Sequence, residues 1–327
     1  MRHTTTLTLA AFIFGGCSGG AAVPGALGSA AMVATRVSPA IPSVGGCQIF
    51  PSDNPWNTDI SQYPLDPNSD NYINALPGNL HPDFGENPNY GIPFNVVPSS
   101  QPPVPVKFFL YPGQSDKGPY PIPPNAQIEG GKKSTGDRHV LVLQQGACKL
   151  YEMFDSHEVA GGKRWRAGSG AIFPLDTNKL RPDGWTSADA AGLPIFPALV
   201  KCAEVQSGEI DHALRVTFSQ TQQGYIHPAT HYASSSRDPS LPPMGLRIRM
   251  KASYDISGIT GQAYIVAVAM KRYGMLVADN GSNWYFQGEG GSTSGCWNDN
   301  DLDQLKSVPN TAFEVVKTGK ILRKSVP

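Results

Sequence analysis

The stretch "HVLVLQQGACKLYEMFDSHEV", residues 139–159, decides the fold class. A short apolar run, a glycine-containing joint and a second run rich in apolar and aromatic residues fit two antiparallel strands. "WRAGSGAIFPL" follows with its own glycine joints, which extends the pattern into a meander. "HALRVTF" and "MGLRIRMKASYDI" continue it further along the chain. In the latter, Leu246, Ile248 and Met250 alternate with Arg247, Arg249 and Lys251, which predicts one buried face and one outward cationic face.

Thirty prolines and 35 glycines against 16% charged residues agree with many turns and few long solvated helices. From Cys47 to about Pro124 the chain is rich in Pro, Asn and Asp. Proline removes amide donors and fixes φ, so this stretch reads as an N-terminal wrap laid over another surface, with "VPVKFFLY" as its first strand. The segment from Ser187 predicts a helix interrupted at Gly192 and Pro194, restarted at Pro197 and ended at Gly208. "GITGQAYIVAVAMKRYG" predicts a second helix, and "NDLDQLKSV" a short last one before the strand "AFEVVKT". Asn280-Gly281 marks a hairpin turn. The expected fold is mainly β, an antiparallel β-sandwich or jelly-roll-like core with two or three short helices.

The first 17 residues read as an export signal: Arg2 and His3 precede the short apolar run "LTLAAFIF", and Gly15-Gly16-Cys17 resembles a bacterial lipobox with Phe14 in the usual leucine position. Residues 18–46 are small, nearly uncharged and aperiodic, and read as a tether to a single β-rich domain over 47–327. The expected setting is extracytoplasmic, either lipid-anchored through Cys17 or secreted. Cys47, Cys148, Cys202 and Cys296 remain, and an even number in an exported chain predicts two disulfides with three pairings open. That favours a bonded Cys296 over a catalytic thiol. Lys plus Arg equals Asp plus Glu at 26 each, so the chain has no net basic charge to favour nucleic acid as a partner.

His227 and His231 stand four apart, the spacing of helical zinc sites, but Pro228 follows the first. On a strand the two rings would lie about 13 Å apart at about 3.3 Å per residue. The run "NDNDLDQ" has Gln304 and Asn310 where a calcium loop starting at Asp299 needs Gly and Glu. Neither metal nor other cofactor is expected, and helix capping accounts for the acidic run.

The catalytic candidates are Glu152, Asp189 and His212. Glu152 shares a strand face with Leu150 and Phe154, and a carboxylate among apolar neighbours has a raised pKa suited to a general acid. Asp189 falls in the first turn of the helix capped by Ser187, whose dipole would keep it ionised as base or nucleophile. His212 in "GEIDHALRVTF" would accept a proton in an elimination, with Arg215 or Arg247 neutralising a uronate. The competing readings are an edge-strand glutamate, an ordinary helix-dipole contact and a hydrogen-bonded core histidine; His139 takes the last reading too. Trp185, Trp284 and His231 complete the candidate substrate contacts, since an aromatic face covers a pyranose while polar groups bond its hydroxyls.

"FPSDNPWNTDI", "LHPDFG", "YGIPFNVVP", "RPDGWTSADAAGLPI", "HALRVTF" and "ADNGSNWY" together resemble a family of uncharacterised exported bacterial proteins, "RPDGWTSADAAGLP" being the most specific segment. The resemblance runs from about Cys47 to the C-terminus and implies a shared fold and an extracytoplasmic setting. The function expected is that of a surface-tethered carbohydrate-active enzyme, a glycoside hydrolase or polysaccharide lyase acting on a polysaccharide or glycan. The alternatives are a non-catalytic polysaccharide-binding or envelope-interaction protein and, less favoured, a secreted peptidase.

Overall fold

A computed structural model describes residues 42–291 and 295–325. The export signal and Cys17, like most of the tether, lie outside them. In chain order the strands and helices are β1 (Ser43–Val44), β2 (Cys47–Gln48), α1 (Ser69–Asn74), β3 (His81–Pro82), β4 (Phe94–Val97) and β5 (Val106–Phe108). Next come β6 (Val140–Gln144), β7 (Lys149–Phe154), β8 (His157–Val159), β9 (Arg164–Ala167) and β10 (Ser169–Pro174). The second half adds α2 (Cys202–Ser207), β11 (Leu214–Phe218), β12 (Arg247–Met250), α3 (Gly261–Arg272), β13 (Met275–Asn280), β14 (Tyr285–Phe286), α4 (Asp299–Leu302) and β15 (Phe313–Val316). The chain is mainly β with few short helices, as the sequence patterns indicate. Among the described residues no helix is long and apolar enough to cross a membrane.

The opening stretch forms β6 and β7, antiparallel neighbours in a four-stranded sheet ordered β10-β7-β6-β4. Its uninterrupted "VLVL" has a physical reason: both faces of β6 are covered. Leu141 and Leu143 enter the main core, while Val140 and Val142 enter a smaller one with Tyr120 and Trp165. A six-stranded sheet, β15-β12-β13-β11-β14-β3, carries much of the main core, and a small β5-β9-β8 sheet completes the layers.

Pairing is mixed: β11 runs parallel to β13 and antiparallel to β14. Asn280-Gly281 is therefore not a hairpin turn between β13 and β14, because β11 lies between them. Besides β2 at its start, the wrap supplies two strands ahead of "VPVKFFLY", β3 and β4, each at a sheet edge beside or including prolines. Ser43–Val44, inside the stretch read as tether, pairs with Cys47–Gln48 across Gly45 and Gly46, both at positive φ.

Arg247 and Arg249 alternate with apolar residues as expected, but their face is not outward. The wrap covers it, and the two guanidinium groups donate to the carbonyls of Pro55, Thr58, Ile60 and Tyr63. An irregular, proline-rich segment has carbonyls with no ladder partner, and arginine's multiple donors fill them. The disulfides are Cys47–Cys148 and Cys202–Cys296, closing sequence separations of 101 and 94 residues. Two such bonds fit an oxidising, extracytoplasmic environment.

Candidate active site

Strands β11 and β13 end side by side, Thr217 in register with Asp279. Around these ends two cavities of about 300 and 240 Å³ share Asp137, Asp279 and Asn280 in their walls. Asp189 lines the larger, Asp83 and Glu129 the smaller, so five carboxylates face one cleft. Arg215, His139 and His231 are its basic groups.

Two ion pairs brace the walls. Arg215 donates to both Asp189 oxygens at 2.8 and 3.3 Å and to Gln287 Oε1 at 2.6 Å, all three side chains being buried. His139 Nδ1 lies 2.7 Å from Glu129 Oε2, and its Nε2 lies 3.1 Å from the Ala188 carbonyl. Both neighbours are acceptors, so the ring suits the doubly protonated form. Burial alone would push His139 down, but the Glu129 carboxylate outweighs it and carries the pKa up to about 9. Burial likewise acts to raise Glu129, and the His139 charge and hydrogen bonds overcome it to hold the carboxyl below its ordinary range.

Asp279 behaves oppositely. Burial, reinforced by the nearby Asp189 charge, pushes it up to about 7, while Arg215 and the Asn280 amide only partly oppose the rise. Burial also raises Asp83, against a hydrogen bond from Gln287. One cleft thus contains a carboxyl poised to give a proton and another kept ionised.

Of the residues chosen from sequence, the cleft brings together Asp189, Arg215 and His231. His231 is held by the Ala190 carbonyl at 2.7 Å, and burial lowers its pKa, whereas His227 instead pairs with Asp183 at 2.8 Å. Asp189 does not start a helix: Ser187 bonds locally to the backbone of Asp189 and Leu193, and residues 187–194 stay irregular. Its charge is held by Arg215.

Glu152 is fully buried and shares its face with Leu150 as expected, but it lines none of these cavities. Its carboxylate accepts the Ile195 and Phe196 amides, anchoring a turn at Phe196–Ala198. Burial still lifts it to about 7 against those bonds. His212 lies elsewhere, in a buried group with Lys201 and Glu204. Trp284 is wholly enclosed, stacked on Phe313 with its indole N–H on the Leu76 carbonyl, which leaves it no face for a ligand. Arg247 is 2% exposed under the wrap at the edge of a separate cavity of about 210 Å³, its donors taken by backbone carbonyls. Trp185 lines another cavity, of about 540 Å³.

Sequence reasoning missed Asp83, Glu129, Asp137 and Asp279. Only Asp279 carries a readable signal, as the first charge after the apolar run "MLVA". Among the described residues no group of three or more His, Cys, Asp or Glu is placed to hold a metal ion. Comparison of the chain with family models, curated proteins and solved structures gave no match.

Proposed function

We propose that this is an exported glycoside hydrolase, with Asp279 as general acid and Glu129 as base or nucleophile. The observation that carries the reading is the divergence of these two carboxyls on the wall of one 240 Å³ cavity: Asp279 raised to about 7, Glu129 lowered. Glycoside hydrolysis needs that division. Protonated Asp279 would give its proton to the glycosidic oxygen as the carbon–oxygen bond breaks. Ionised Glu129 would take a proton from the water that adds to the anomeric carbon, or attack that carbon itself. Both His139 contacts fall on Glu129 Oε2, which leaves Oε1 for the cavity. Asp189 is less suited, since Arg215 engages both its oxygens.

The same charges argue against elimination on a uronic acid. A lyase needs a cation to neutralise the substrate carboxylate, whereas Arg215 is committed to Asp189 and Gln287, and His139 to Glu129. With Asp279 protonated, four carboxylates against one arginine and one protonated histidine still leave the cleft negative, which repels polyuronides. Export, supported by the two disulfides, and tethering through Cys17, read from the sequence alone, belong to the same proposal.

The test is release of reducing ends from neutral, amino and acidic polysaccharides by the purified chain, with Asp279→Asn and Glu129→Gln alongside. Each substitution is expected to lower the rate by about 10²- to 10⁴-fold. Turnover that survives both changes would refute the assignment, an unsaturated product absorbing in the ultraviolet would identify elimination, and binding without turnover would favour a glycan-binding protein.

A further inference from the structure

The cleft does not include the largest cavity described, and that cavity has a different character. It is a groove of about 540 Å³, within the range of small-ligand sites, lined among others by Asp116, Phe173, Asn178, Lys179, Arg181 and Trp185. We propose that it binds a neutral glycan, with Trp185 as the platform on which a pyranose ring stacks. The class of ligand rests on the glycan reading of the acidic cleft; the groove itself does not.

Trp185 stands apart from the other tryptophans. Trp56, Trp165, Trp284 and Trp297 are all 5% exposed or less, while Trp185 is only partly covered. Trp284 and Trp297 donate their indole N–H groups to the Leu76 and Glu289 carbonyls at 2.7 and 3.0 Å. The Trp185 indole N–H has no protein acceptor among the described residues, and of the tryptophans without one only Trp185 is partly exposed, so a donor and a flat apolar surface are offered together. That pairing suits a sugar, whose ring faces are apolar and whose edges carry hydroxyls.

The platform is held in place. Arg181 is buried, with its guanidinium carbon 5.7 Å from the ring centroids of both Trp185 and Phe173. It bonds the Thr186 carbonyl at 3.0 Å, the Gln114 carbonyl at 2.7 Å and the Asp116 carboxylate. Gln114 in turn accepts the Thr186 amide through Oε1 at 3.0 Å. These bonds fix the backbone at Thr186, and the Thr230 hydroxyl donates to the Trp185 carbonyl at 2.8 Å, so little ordering is left for binding to supply.

Charge narrows the ligand further. Arg181 and Asp116 neutralise each other, and Lys179 forms no ion pair among the described residues. A cationic chain gains nothing here, and the acidic cleft repels an anionic one. A neutral chain suits both. Adjacent residues Trp185 and Thr186 line the groove and the cleft respectively, so the two sites lie on either side of one short segment.

The experiment is a tryptophan-fluorescence titration of the full mature chain carrying Asp279→Asn to suppress turnover, using cellohexaose, xylohexaose, mannohexaose and maltohexaose, with a polygalacturonate oligomer as the charged comparison. At least one neutral hexaose is expected to give a saturable change that the polygalacturonate does not. Adding Trp185→Ala should abolish the optical change and weaken binding, measured by calorimetry, by about tenfold or more. Trp185→Phe, which keeps an aromatic ring, should retain part of the calorimetric affinity. No response to any neutral hexaose, or unchanged calorimetric affinity in a folded Trp185→Ala protein, would overturn the proposal. Failure here is separable from failure of the hydrolase assignment: Asp279-dependent turnover without groove binding removes only the groove, and groove binding without turnover on any glycan removes only the hydrolase.

Discussion

Two regions of this protein bury ionisable groups, and they handle them differently. In the Lys201–Glu204–His212 group, Lys201 and His212 are 2% and 1% exposed, and their polar atoms are matched. Lys201 Nζ lies 3.0 Å from the Leu199 carbonyl, 3.2 Å from Glu204 and 3.1 Å from His212. His212 Nε2 lies 2.9 Å from Glu204, and its Nδ1 lies 2.8 Å from the Ala213 carbonyl. Burial would raise Glu204, but the His212 and Lys201 charges hold it down at about 2. None of the three lines a described cavity. The cleft around Asp279 instead has more carboxylates than basic partners and opens to solvent. A buried charge with complete partners is structure; a surplus that faces a cavity is available for chemistry.

The comparison breaks most readily at Arg215. Arg215→Ala strands the buried Asp189 carboxylate and should destabilise the chain by about 3–5 kcal/mol in urea unfolding. His212→Ala should cost less, about 1–3 kcal/mol, since it leaves Lys201 and Glu204 paired and removes only the histidine's hydrogen bonds.

A third effect is spread over pH. Glu152 and Asp279 have folded pKa values raised to about 7 from 4.5 and 3.8, so their contribution is complete below the lower values and lost as pH rises to about 7. His139, raised from 6.5 to about 9, adds a further loss between those values. Glu204, lowered from 4.5 to about 2, loses its contribution as pH falls through that interval. Thermal stability measured across pH should therefore peak near pH 4 and decline on both sides. The smallest effect belongs to Lys132→Ala, which removes an exposed pair with Glu158 and should change unfolding by no more than about 0.5 kcal/mol.

The strands were legible because local pattern decides them: "VLVL" reads as a strand, which the structure shows buried on both faces, and Glu152 shares its face with Leu150 as alternation requires. Exposure was not. Arg247 and Arg249 alternate correctly, yet a wrap more than 180 residues away in sequence covers them. Ser187 looks like a helix cap, but its hydroxyl closes a local turn instead. The cleft was only half legible because its carboxylates come from positions 83, 129, 137, 189 and 279, brought together by pairing across the sheets rather than by any local motif.

The most direct measurement compares the specific activity of Asp279→Asn with that of His212→Ala at pH 6, on whichever glycan the wild-type chain hydrolyses. Asp279→Asn is expected to lose about 10²- to 10⁴-fold, and His212→Ala, where still folded, to keep the wild-type rate. The reverse pattern, with Asp279→Asn active and folded His212→Ala inactive, would contradict the assignment of chemistry to the acidic cleft.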